Sequence, residues 1–230
     1  MSYWFPWVLF GVVALLSYLA QWNLQQKFKR YSEVKLGSGL TGREVAERML
    51  LENGISGVAV TSIKGRLTDH FNPLNRTVNL SEGVYASDSV AAAAVAAHEC
   101  GHALQHAVGY APLKLRSSLV PVVSFVSRWV QWVLLLGILL LQVFPFLLFA
   151  GIVLFSLITL FSFITLPVEI DASRRAIAWL HSSRIVTTGG EMQMAESALR
   201  SAAYTYVVAA LGSLATLVYY VMLYAGGRSR

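Results

Sequence analysis

Apolar residues fall in three long runs, at 3–22, 119–166 and about 203–224, separated by two polar regions at 23–118 and 167–202. A helix that crosses a bilayer needs about 20 mostly apolar residues. The first and last runs each supply one span, and the middle run is long enough for two. Its turn is expected at 142–145, where polar Gln142 and helix-disfavouring Pro145 interrupt the pattern. No Lys or Arg precedes the first run and no small-residue cleavage pattern follows it, so it reads as a retained anchor rather than a cleaved leader. Arg128 falls within the second span, where a charge at mid-bilayer is costly. Trp129 and Trp132 then mark a membrane boundary, leaving 119–127 interfacial or packed on the protein.

The polar regions predict a small mixed domain. Thr41 and Glu44 form a capping-box pattern that opens a helix over 42–52, stopped by Asn53-Gly54. Residues 58–62 read as a short strand, 72–76 as a turn around Asn72-Pro73, and 77–80 (TVNL) as a second strand. Ser87 or Asp88 caps a long helix running to about 107. Gly109 ends it and Pro112 prevents its resumption. The alanine-rich run at 91–97 favours helix and allows close packing. The chain thus divides into an anchor at 1–22, a polar catalytic loop domain at 23–118, two membrane helices at 119–166, a polar helical segment at 167–202, and a last membrane helix with its tail at 203–230.

Composition agrees with this division. The 230 residues are 56% hydrophobic and 13% charged, against about 25% charged in a soluble domain. The single cysteine, Cys100, allows no internal disulfide. The net charge of +6 comes from cations that flank spans: Lys27, Lys29, Arg30 and Lys35 after the first, Lys114 and Arg116 before the second, and Arg174, Arg175, Arg184 and Arg200 between the third and fourth. Positive loops stay cytoplasmic, so both polar regions are expected on the cytoplasmic face with both termini outside, although Arg228 and Arg230 oppose that sense. Cations so placed suit a lipid surface, and no interleaved basic and aromatic face for nucleic acid is present. With four spans the two polar regions share one side in either orientation and can build one site.

The chemistry is in AAHECGHALQH, where His98-Glu99-Cys100-Gly101-His102 is an H-E-x-x-H sequence on an expected helix. Residues i and i+4 on a helix differ by only about 40° in direction, so His98 and His102 can share one ion. Neutral imidazoles suit Zn2+. Glu99 can face a zinc-bound water whose pKa is lowered to about 7 and accept its proton. Cys100 could reach the ion only by distorting the helix and reads as a small core residue.

A third ligand is needed, with the fourth position left open. Position 108 is Val108, and His106, one turn beyond His102, cannot converge with His98 and His102 from a straight helix; it reads as a supporting or surface residue. Glu169, in LPVEIDASRRA after the third span and on the same side as His98, is the better candidate.

The segments DHFNPLNRTVNLSEGVYASDSVAAAAVAAHECGHALQHAVGYAPLKLRS and PVEIDASRRAIAWL, and more weakly SAAYTYVVAALGSL, resemble the YugP-type family of bacterial membrane zinc metallopeptidases. The family is similar to the membrane gluzincins, which use HExxH plus a downstream Glu. The resemblance implies His98, His102 and Glu169 as zinc ligands, Glu99 as general base, and residence in a bacterial inner membrane. Gluzincins often carry Asp four residues after the Glu ligand. Here that residue is Ser173, so a carboxylate orienting a histidine must come from elsewhere or be absent, and Asp171, two residues on, faces away.

The expected fold is mainly α: a four-span helical membrane protein with a small gluzincin-like α+β catalytic domain on one membrane face. The expected activity is zinc-dependent hydrolysis of a protein or peptide substrate at the cytoplasmic face. Cleavage within the membrane, with Asn72-Pro73 as a distant echo of that class, and a non-catalytic zinc-binding scaffold are the alternatives. His70, His106, His181, Tyr204 and Tyr206 are candidate donors to the developing oxyanion, none of them singled out. The strand at 77–80 is a candidate edge for pairing with substrate backbone.

Overall fold

A computed structural model describes residues 4–227; Tyr3, Arg228 and Arg230, which entered the span and topology expectations above, lie outside them. The order is α1 (Phe5–Ser32), α2 (Gly42–Glu52), β1 (Ala59–Ile63), β2 (His70–Asn72), β3 (Thr77–Ser81), α3 (Glu82–Tyr85), α4 (Val90–Ala107), α5 (Ala111–Leu139), α6 (Pro145–Ser182) and α7 (Gly189–Gly227). The architecture is mainly helical with one three-stranded sheet, as the pattern predicts. Helices α1, α5, α6 and α7 are each long and apolar enough to cross a membrane. The described residues form two compact units: one from 4–19, Lys114–Leu166 and 205–227, the other from Ala20–Leu113 and Pro167–Tyr204.

The first unit holds the apolar stretches. Val126, Val130 and Leu134 of α5 pack with Leu148 and Ile152 of α6, a three-to-four-residue spacing that lines one helix face. Gly137 permits this approach: a Cβ there would lie 2.6 Å from the Leu148 backbone. The turn between these helices falls at 140–144 and Pro145 opens α6, where a missing N–H costs nothing. Within 119–127, Val123 and Val126 pack on the protein, one of the two placements expected for this stretch. Helix α5 runs unbroken through Arg128, whose side chain is exposed, and Val123 extends the buried stripe below it. Helix α4 ends at Ala107 and does not resume; Pro112 sits in the first turn of the separate helix α5, where proline is tolerated because the amide has no helical partner.

The second unit contains the polar domain. Thr41 and Glu44 make the full capping box of α2. The cap of α4 is Ser89, accepting from the Ala92 amide, rather than Ser87 or Asp88; Ser87 instead hydrogen bonds to Ser89. The alanines of α4 are buried against Val45, Ala46 and Met49 of α2, Val78 and Leu80 of β3, and Trp179, Leu180, Met192 and Leu199. Small side chains let α4 sit at the centre of this core. In the sheet β3 lies between β1, which it pairs in parallel, and β2, which it pairs antiparallel. The strand at 77–80 is therefore central, its backbone engaged on both sides, and it cannot be the open edge expected of it.

Candidate metal centre

Helix α4 and the polar part of α6 cross where α4 carries Gly101. A Cβ at that position would sit 2.6 Å from the Ala172 carbonyl oxygen, so the central glycine of the H-E-x-x-H sequence is what lets the two helices touch. That approach places Glu169 opposite the two histidines. Its Oε2 lies 3.2 Å from His98 Nε2 and 3.6 Å from His102 Nε2, and the imidazole rings are 4.8 Å apart at 83°. Glu169 is 3% exposed and His102 8%.

These three side chains have ligand atoms within 4.8 Å of one another and could hold a metal ion. The chemistry of the set fits zinc: two imidazole nitrogens and one carboxylate, with a fourth position open, is a catalytic rather than a closed structural arrangement. The spacing fits as well. Tetrahedral bonds of about 2.0–2.1 Å separate neighbouring ligand atoms by roughly 3.4 Å, between the two nitrogen–oxygen distances above.

Both histidines are held from behind. The Gln105 side chain, fully buried, donates through Nε2 to the Val168 carbonyl (2.8 Å) and to Asp171 Oδ2 (2.9 Å). Its carbonyl oxygen therefore faces His102 Nδ1 at 3.1 Å, which must carry the proton. Nε2 is left as the lone-pair nitrogen, aimed at the shared position. Arg175 Nε donates to the same Asp171 oxygen at 2.6 Å. For His98 the partner is Ser173, whose Oγ is 3.1 Å from Nδ1. The residue four after Glu169 thus supports a histidine with a hydroxyl, and among the described residues no carboxylate takes that place. Asp171 does not reach a histidine itself, as its position two after Glu169 requires, but joins the site through Gln105. Burial pulls the His102 pKa down; hydrogen bonding to Glu169 and the nearby Glu99 and Glu169 charges outweigh it and leave the pKa above the ordinary histidine value.

Glu99 is buried beside this cluster, and its Oε2 accepts the backbone N–H of Phe71 at 3.0 Å. Phe71 is in β2, so the outer edge of the sheet, not β3, approaches the site. His106 is exposed one turn beyond His102, with its ring 5.7 Å from that of Phe71. Cys100 is fully buried, its thiol directed at the Ala46 carbonyl, and burial followed by the Glu99 charge raises its pKa far above the usual thiol value. The other oxyanion candidates have partners or exposure of their own. His70 spends both ring nitrogens on the Thr68 carbonyl and Asn79, His181 pairs with Glu196, and Tyr204 and Tyr206 are exposed on α7. Gln105, Ser173 and Phe71 are the residues that reading the sequence missed. The first two had a usable signal, polar residues three after His102 and four after Glu169 on a helix face that is otherwise buried.

Four membrane-capable helices and a buried His-His-Glu cluster with an adjacent glutamate define the class: a helical membrane protein with a candidate catalytic metal centre. Comparison with known proteins gives the family. Residues 6–225 match the family described as "Putative neutral zinc metallopeptidase", and the chain belongs to it. It is 43% identical over 213 residues, 93% of each chain, to the "Putative membrane protease YugP" of Bacillus subtilis. No solved structure matches the chain.

Proposed function

We propose that this protein is a zinc metalloendopeptidase of the cell membrane that hydrolyses peptide bonds of proteins at or near the cytoplasmic face. His98, His102 and Glu169 hold the ion and Glu99 is the general base. The observation that carries the reading is Glu99, buried next to a cluster of three candidate ligands, one fewer than the four of a tetrahedral zinc site. Zinc bound there supplies Lewis acidity toward a carbonyl and lowers the pKa of a bound water.

The remaining steps belong to the chain's own groups. Phe71 N–H holds Glu99 by Oε2, which leaves Oε1 to take the proton of the attacking water and pass it to the leaving amine nitrogen. Gln105 and Ser173 fix the tautomers and ring planes of the histidines. The outer edge of β2, beyond the Phe71 N–H already given to Glu99, offers its other backbone groups to an extended substrate, in the role first expected of residues 77–80. Helix α4 is not among the helices apolar enough to cross a membrane, which supports cleavage beside the bilayer rather than inside it.

Glu99→Gln tests the reading. Zinc content is expected to be unchanged, and proteolysis, followed by comparing the membrane-fraction proteome of wild type and variant, is expected to fall by about 10²–10⁴-fold. Full biological activity in the variant with zinc retained would instead establish a zinc-binding scaffold.

A further inference from the structure

Away from the candidate metal centre, α1 and α7 flank an open cleft of about 280 Å3 whose walls include Asn23, Lys27, Ser197, Arg200, Ser201 and Tyr204. Its position along the helices is set by length. At 1.5 Å per residue, the 28 residues of α1 reach about 42 Å and the 39 of α7 about 58 Å, against a hydrocarbon core of about 30 Å. Each helix therefore extends well beyond its apolar stretch. Asn23 and Lys27 follow the last residue of the first run, Trp22, by about 1.5 and 7.5 Å, and Arg200 and Ser201 precede the fourth by about 3–5 Å. The headgroup layer is about 5–8 Å deep on each side, so both cations lie at its level.

The charges in the cleft are unevenly matched. Glu196, also in its wall, pairs with Arg200 at 3.1 Å and with His181 at 3.3 Å. Lys27 Nζ donates to Ser201 Oγ at 2.8 Å, and among the described residues no carboxylate pairs with it. Ser201 is 1% exposed and is also the acceptor for Asn23 Nδ2, so it anchors the ammonium in place with donors to spare. Tyr204, whose side chain is exposed, stands where the apolar stretch of α7 begins. An ammonium without a counter-ion, backed by a guanidinium, an amide and hydroxyls, is a receptor for a phosphate oxygen.

We propose that this cleft binds the phosphodiester headgroup of an anionic phospholipid, with Lys27 as the principal contact and Arg200, Asn23 and Tyr204 around it. Lys27, the cation in this wall without a carboxylate partner, disfavours choline or ethanolamine headgroups, whose own positive charge would meet it. Neither the site nor its test involves Glu99 or the metal ligands.

The test is native mass spectrometry of the full chain, delipidated in detergent and titrated with phosphatidylglycerol or phosphatidylcholine. One phosphatidylglycerol is expected to bind about tenfold more tightly than phosphatidylcholine, and Lys27→Gln to reduce the preference to about twofold. Ser201→Ala, which keeps every charge and is mild enough to fold, is expected to weaken phosphatidylglycerol in the same direction. Lys29→Gln, on the same helix but outside the cleft, is expected to keep the wild-type preference. Equal binding of the two lipids, or the same loss with Lys29→Gln as with Lys27→Gln, would overturn the site. Millimolar inorganic phosphate offers the oxyanion without acyl chains and is expected to leave the lipid bound; displacement would reassign the cleft to free phosphate and overturn the lipid assignment.

Discussion

Replacing Gln105 by Leu removes one polar side chain and leaves His98, His102 and Glu169, the proposed metal ligands, unchanged. In the native protein Gln105 is fully buried and its amide joins three groups: His102 Nδ1, the Val168 carbonyl and Asp171. In the variant Val168 keeps its place in the backbone of α6 and Asp171 keeps Arg175. The group stranded by the change is the Nδ1–H of His102. A buried donor without a partner costs about 1–3 kcal/mol, and the ring escapes the cost by turning or by moving its proton to Nε2, the nitrogen that faces Glu169 in the proposed site. Loss of such a supporting partner weakens metal binding by about 10–100-fold, which is about 1.4–2.7 kcal/mol. Zinc affinity measured by competition with a fluorescent chelator is expected to fall by that factor, with far-UV circular dichroism unchanged. A folded Gln105→Leu protein binding zinc within about threefold of wild type would refute the claim that this amide orients His102, well below the loss expected of such a partner.

Two further predictions concern the same unit of the protein. Gly101→Ala puts a methyl 2.6 Å from the Ala172 carbonyl, backbone that cannot rotate away; thermal denaturation is expected to show about 1–3 kcal/mol of destabilisation, and chelator competition a zinc affinity lowered as α4 and α6 separate. The carboxyl of Glu44 is held below its ordinary pKa by the Thr41 amide and hydroxyl. A depressed carboxylate pKa gives stability that is present above the unfolded value of about 4.3 and is lost as pH falls through the lower folded value. Glu44→Gln is therefore expected to flatten the acid limb of the stability curve below about pH 5 and to leave its slope near pH 7 unchanged.

The parts of the fold legible in the sequence are those set by neighbours along the chain. The apolar runs, the turn before Pro145, the capping box at Thr41 and Glu44 and the stop at Asn53-Gly54 each rest on residues within one turn of one another. The cap of α4 was harder because Ser87, Asp88 and Ser89 are all able to cap a helix, and the choice falls on the residue whose backbone is extended where the core admits the first turn. Strand order was not legible. β2 has three residues, too few to show alternation, and nothing local in TVNL tells a strand with two neighbours from a strand with one.

The candidate centre divides along the same line. His98, Glu99 and His102 share one turn of one helix, so spacing alone sets their directions, and Glu169 was reachable because the spans fix which side of the membrane it is on. The supporting groups depend instead on where α4 meets α6. A helix turns Asp171 away from Glu169, as the spacing predicts; it matters because Gln105 reaches it from the other helix. The contact is permitted by Gly101, a residue between the two histidines that contributes no ligand and no proton. A larger residue there would keep the H-E-x-x-H spacing in the sequence while moving Glu169 away from the pair, so the spacing defines a metal site only together with a small residue where the second helix must pass.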